Sequence, residues 1–247
     1  AFCLAFPFVG PLIYFLFCIN RVRTRAQKLE VKRPSYRVQP GGGKSIETAK
    51  YDPSDLAVSG ALAGIARISD RVTRLHLVGG NRVELLHNGE AAYPAMMETI
   101  ENAAERVFLS SYIFDTDIAG QHMIDTLASA ARRGVDVRVI VDGFGELYSF
   151  PRASAMLRKA GVRVIQFLPP RILPFPMLHI NLRNHRKILI ADGDIGYTGG
   201  MNIGDRHMVE KPYNRKRVVD THFRLSGPIV RQLEHVFIED WTFCTGD

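Results

Sequence analysis

The chain opens with residues 1–19, an unbroken run of apolar or small side chains. From residue 82 onward, short β-branched runs alternate with stretches whose apolar positions recur at helical spacing. Strands are predicted over 82–86, 107–113, 135–141, 162–167, 187–191, 195–198 and 221–225. Helices are predicted over 93–104, over 120–133 with Gly134 as a cap, over 153–159 with Gly161 as a stop, and over 229–241. Strands separated by helices of this length imply an α/β domain, an α/β/α sandwich whose mainly parallel sheet is covered on both faces. The four prolines between 169 and 176 force an irregular loop just before the 187–191 strand.

The first run is about the ~20 residues needed to span a bilayer core. Arg21, Arg23, Arg25 and Lys28 follow it directly. A signal peptide would carry its charges before the run and a small-residue cleavage site after it, and a buried core helix would not explain the basic cluster. Residues 1–20 are therefore predicted to be a transmembrane helix, with the following chain on the cytoplasmic side of the membrane. Prolines and three consecutive glycines mark 21–55 as a basic juxtamembrane linker, which leaves 56–247 as the folded domain. Gly43-Lys44-Ser45 ends like a phosphate-binding loop, but Val38 stands where its first glycine belongs.

Charge sharpens this division. The chain has 247 residues with a net charge of +7. Residues 21–50 hold nine basic and two acidic groups, the whole surplus, and the remainder is formally neutral. A polybasic segment beside an apolar run fits an anionic lipid surface, and the neutral remainder argues against nucleic acid as a partner. Three cysteines, none in a CxxC pair, indicate neither a disulfide framework nor a thiol metal site.

Candidate chemistry concentrates in Asn184-His185-Arg186-Lys187 and the residues up to Gly199-Gly200-Met201-Asn202. His185 and Lys187, two apart on a strand, leave the same face. An imidazole beside a fixed ammonium suits attack on a phosphodiester, the first as nucleophile and the second stabilising the non-bridging oxygens, where the Asn202 amide can also donate. An isolated His-x-Lys would be an ordinary surface pair. Alternation points Asp192 to the face opposite His185, which predicts a structural role at the strand end or a turn.

The whole string, H-x-K-x4-D-x6-G-x2-N from His185 to Asn202, resembles the signature of the phospholipase D superfamily, with Gly200 where many members have Ser. Gly10-Pro11-Leu12-Ile13-Tyr14, Gly80-Asn81-Arg82-Val83, Tyr112-Ile113-Phe114, Asp220-Thr221-His222 and Asp240-Trp241 narrow the resemblance to bacterial cardiolipin synthases. The resemblance implies a phospholipase D-like fold and a phosphatidyltransferase. It would move a phosphatidyl group between two phosphatidylglycerol molecules through a phosphohistidine, without metal or other cofactor. It implies a catalytic set of His185, Lys187, Asp192 and Asp220, with Lys187 and Asn202 as phosphate binders and Asp220 orienting the histidine. Val218-Val219 replace the family's usual Trp-Arg before that aspartate.

In-line displacement needs an acid opposite the nucleophile, and the family places a second motif there. No other histidine here is followed two positions on by Lys. The second motif is expected beyond Asp247 in preference to a second copy of the chain. A dimeric phosphodiesterase or nuclease, and a non-catalytic module binding anionic lipid, are the competing readings. The spacing of His179 and His185 is wrong for a helical metal pair. Asp115 and Asp117 read as an acidic turn capping the next helix. The polar stretch 207–217 reads as a loop beside the site, its Lys211, Arg215, Lys216 and Arg217 either contacting lipid headgroups or simply solvated.

Overall fold

The computed structural model describes residues 61–73, 75, 77–170 and 183–246. The apolar run, the basic linker and His179 lie outside the described residues. Among the described residues no helix is long and apolar enough to cross a membrane. The elements run α1 (Ala61–Thr73), β1 (Arg82–His87), α2 (Asn88–Asn102), β2 (Arg106–Ser111), α3 (Ile118–Arg132), β3 (Asp136–Asp142), a 3₁₀ turn (Gly145–Tyr148), α4 (Ala153–Lys159) and β4 (Arg163–Phe167). Further along come β5 (Ile188–Ala191), β6 (Ile195–Gly199), a 3₁₀ turn (Asp205–His207), β7 (Thr221–Ser226) and α5 (Ile229–Thr245). Helix α1 is an addition to the elements read from sequence. It turns Ala66 inward and leaves Leu62, Ile65, Ile68 and Val72 exposed.

The seven strands form one sheet in the order β1-β7-β6-β5-β2-β3-β4. It corrects the expectation of a mainly parallel sheet. Only β2–β3 and β3–β4 pair in parallel, across the helical crossovers of α3 and α4. The β2–β5, β5–β6, β6–β7 and β1–β7 pairs are antiparallel. A parallel pair needs a crossover of a dozen or more residues, and the link between β5 and β6 is only Asp192–Asp194. Asp192 and Gly193 take positive φ (53° and 75°) and the Asp194 N–H donates to the Ala191 carbonyl at 3.1 Å, the tight hairpin turn that Asp-Gly favours.

Strand alternation divides the core as expected for a sheet covered on both faces. Val107 and Leu109 of β2, with Val137, Val139 and Leu189, pack under α2, α3 and α4. Phe108, Ile140, Ile188 and Ile190 face α5 instead. The Phe108 ring stacks on Phe237 at 4.9 Å, Trp241 packs beside Phe237 at 6.0 Å, and the Arg138 guanidinium covers Phe108 and Trp241 at 5.3 and 5.4 Å. The register brings the ends of β2, β3 and β6 and the starts of β5 and β7 to one edge of the sheet. Among the described residues His185, Lys187, Asn202 and Asp220 lie there, and Asp192 does not.

Candidate active site

The backbone that carries His185 is held from both sides. Asp142, the fully buried last residue of β3, accepts from the N–H groups of Phe144 (2.9 Å), Gly145 (3.0 Å) and Asn184 (3.0 Å). Arg183 lies 3.7 Å from the same carboxylate and stacks over Phe144. Asn184 in turn donates from Nδ2 to Asp240 of α5 at 2.9 Å, accepts from the Arg186 N–H at 3.0 Å, and Arg186 pairs with Asp240. Residues 184 and 186 are thus tied towards α5. Alternation then sends 185 and 187 the other way.

On that side the exposed His185 ring stacks on Tyr112 with centroids 4.0 Å apart and planes 18° from parallel. Lys187 donates to the His185 carbonyl at 2.7 Å and lies 5.5 Å from the Tyr112 ring centre. Its half-burial pulls the ammonium below the usual lysine pKa, and the carboxylate of Asp220 works against that shift. Asn202 accepts from the Ile113 N–H through Oδ1 at 3.1 Å, which fixes the amide so that its NH₂ faces away from Ile113. Its carbonyl accepts from the Tyr93 hydroxyl at 2.8 Å, and burial keeps that phenol protonated well above its ordinary range. Lys187, Asn202, Ser110, Ser111 and His222 line a small pocket with room for about one water molecule.

Asp220 is held by the Thr221 N–H at 2.7 Å and by paired bonds with Asn88. A Cβ on Gly200 would fall 2.2 Å from its Oδ1, so glycine at this position leaves the carboxylate its place. No hydrogen bond joins Asp220 to the His185 ring. The carboxylate acts electrostatically on Lys187, His207 and His222, a placement that differs from the histidine-orienting contact the resemblance implies.

The structure does not bring Asp192 to the site. At the opposite end of β5 it accepts from the N–H groups of Ala104 (2.9 Å), Glu105 (2.8 Å) and Arg106 (2.9 Å). Burial opposes its ionised form, but these donors and the Arg106 charge outweigh it and hold its pKa below the usual carboxylate range. It clamps the start of β2 to the β5–β6 turn. Asp192→Ala strands three donors and is expected to lower stability by about 1–3 kcal/mol in urea unfolding while leaving the rate at the site unchanged. A large drop in rate at normal stability would contradict this assignment.

Two histidines join the site without having been singled out for chemistry. His207 and His222 are both 2% exposed. Burial lowers the pKa of each, that of His222 to about 4, with Asp220 opposing and Lys187 adding to the shift for His222. His222 therefore stays neutral in the fold, while in the unfolded chain it takes up a proton below its ordinary pKa of about 6.5. Stability is lost as pH falls from about 6.5 to about 4, by roughly 2–3 kcal/mol at pH 4.5. His222→Phe is expected to flatten that part of the pH profile of the unfolding free energy, and an unchanged profile would refute the assignment. The signal in the sequence is Asp220-x-His222, two polar residues on one face of a strand. Tyr112 stands in a string that carries the resemblance, but its stacking role depends on a ring 73 positions away.

Asp115 and Asp117 are structural. Asp117 caps α3 by accepting from Gly120 N–H at 3.1 Å and also accepts from the Asp205 N–H at 2.6 Å. Asp115 pairs with Arg206 at 2.7 Å and accepts from Ser149. The 207–217 loop is pinned by the buried Asn214, which donates to the carbonyls of Asp205, Arg206 and Met208.

Comparison with known proteins places the chain in a family. Residues 96–241, more than half of the chain, match the family described as cardiolipin synthase, PLD-like domain. The chain is 32% identical over 248 aligned positions to a cardiolipin synthase of Geobacillus kaustophilus, covering 98% of this chain and 47% of that protein. It is 35% identical over 184 positions to cardiolipin synthase 2 of Bacillus anthracis, covering 73% of this chain and 35% of that one. The chain thus spans about half the length of the curated relatives it matches, or less. Among solved structures, NucT from Helicobacter pylori shares the fold with a TM-score of 0.52 at 14% identity, over 66% of this chain and 98% of that one.

Proposed function

The chain belongs to the family of cardiolipin synthase, PLD-like domains, and we propose that it supplies one catalytic half of a phosphatidyltransferase that makes cardiolipin. A ring nitrogen of His185 attacks the phosphorus of one phosphatidylglycerol. The bond to the headgroup glycerol breaks, and that alkoxide takes a proton from an acid on the far side. The hydroxyl of a second phosphatidylglycerol, losing its proton to the same group, then attacks phosphatidyl-His185 to give cardiolipin and restore the imidazole. Lys187 and the Asn202 amide hold the non-bridging oxygens as charge builds on them. The opposing acid is a second histidine of the same kind, from sequence outside this chain or from a second copy. Residues 1–20 anchor the protein, and the site works at the cytoplasmic surface of a bacterial inner membrane, where lipid is concentrated.

The observation that carries this reading is the pairing of an exposed, ring-stacked His185 with a half-buried Lys187 at one sheet edge, next to the Asn202 amide. Incubation of the full-length protein with phosphatidylglycerol vesicles tests it. Cardiolipin and glycerol in equal amounts are expected. Phosphatidic acid in place of cardiolipin would make the protein a lipase instead.

A further inference from the structure

The formally neutral balance of residues 51–247 conceals a strongly segregated edge around His185. On one flank the 3₁₀ turn and its continuation expose Leu147, Tyr148 and Phe150, the last at 95%. The one acid in that segment, Glu146, is buried and bonded to Ser154 and Gln166, so Arg152 is its exposed charge. On the other flank Tyr213, Val218 and Val219 are exposed beside Lys211, Arg215, Lys216 and Arg217, and 211–219 contains no acid. Both flanks touch the site. A Cβ on Gly145 would fall 1.8 Å from the Tyr112 carbonyl, so the first turn lies against the residue on which His185 stacks. Val219 precedes Asp220, whose carboxylate acts on Lys187. The flanks are also joined beneath the site. Ser149, between the exposed Tyr148 and Phe150, bonds to Asp115, Asp115 pairs with Arg206, and the Arg206 carbonyl accepts from the Val218 N–H at 2.8 Å.

The geometry points to a rim that seats His185 directly on an anionic phospholipid surface. Leu147, Tyr148, Phe150 and Val219 enter the interfacial layer, and Arg152, Arg215, Lys216 and Arg217 lie on the headgroup phosphates. Charge complementarity selects this occupant. Exposed Leu and Val side chains among basic groups suit a layer of anionic headgroups, and nucleic acid has no use for them. The inference rests on the proposed lipid chemistry for its direction and adds which surface faces the bilayer. The Asp115 clasp ties the two flanks to each other.

The test places an environment-sensitive fluorophore at Phe150→Cys in full-length protein whose native cysteines are replaced by serine. The control label is at Glu101→Cys, at the opposite end of the sheet. Vesicles of equal phosphatidylglycerol and phosphatidylcholine carry a headgroup nitroxide quencher. Strong quenching at 150 and little at 101 is expected, both with His185 present and in His185→Ala. Reversing Arg215, Lys216 and Arg217 to Glu should weaken the rim's seating by about fivefold per charge. Equal quenching at the two positions would overturn the inference. So would shielding of position 150 from both lipid and iodide quenchers, which means a protein cover, or a response to DNA in place of vesicles. Cardiolipin formation without quenching at 150 sinks the rim alone. Quenching without cardiolipin sinks the proposed chemistry and leaves the rim standing.

Discussion

His185→Ala in the full-length protein is expected to abolish the proposed cardiolipin formation, with a loss on the order of 10⁴-fold or more, since removing a covalent nucleophile eliminates the intermediate itself. The same substitution leaves the fold intact. The ring is exposed and its neighbours are held through Asn184 and Arg186 rather than through the imidazole, so unfolding stability changes by no more than about 0.5 kcal/mol. Product assays and denaturant unfolding of the same preparation separate the two effects. Activity retained within tenfold would remove His185 from the chemistry. Equal losses of activity and fold would make it a structural residue.

Asp142→Ala is expected to have the largest effect on stability, about 3–5 kcal/mol in urea unfolding. The carboxylate is fully buried, satisfies three backbone donors and neutralises Arg183, so its removal strands all four groups. One of those donors is the Asn184 N–H, so any folded fraction also loses the alignment of His185 and turns over more slowly. Asp142→Asn keeps an acceptor without the charge and should fall between the two. A change below about 1 kcal/mol in the alanine variant would show that the β3 end does not hold the motif.

How much of this was legible in the sequence depended on the range of the interactions involved. Strands and helices were recognisable because their periods are local, and the boundaries of α4 coincide with those expected. Pairing direction was not. The helical spacing between β2, β3 and β4 correctly implied parallel neighbours, but β5, β6 and β7 are joined without crossover helices, and extending the parallel pattern to them was the error. Helix α1 was missed, and its apolar stripe is exposed rather than buried in the core. Within the site, His185, Lys187 and Asn202 lie in one short string whose alternation and glycines carry their arrangement. Tyr112, Asp142 and Asp240 act across separations of about 40 to 75 residues, and although Tyr112 and Asp240 stand in strings that carry the resemblance, nothing local announces the contacts they make. Asp192 shows the converse. Its place in the string suggests chemistry, while strand alternation sends it to a turn, and the structure places it in that turn. Net charge misled by averaging, because acids paired elsewhere in the fold hide a basic rim beside His185.

The most direct measurement is to trap the full-length protein during turnover with phosphatidylglycerol labelled at phosphorus, under neutral or basic quench, and map the label by mass spectrometry. A phosphatidyl group on the His185 imidazole is predicted, released by acid and absent from His185→Ala. Continued cardiolipin synthesis with no label at position 185, or with the label on a different side chain, would contradict the account.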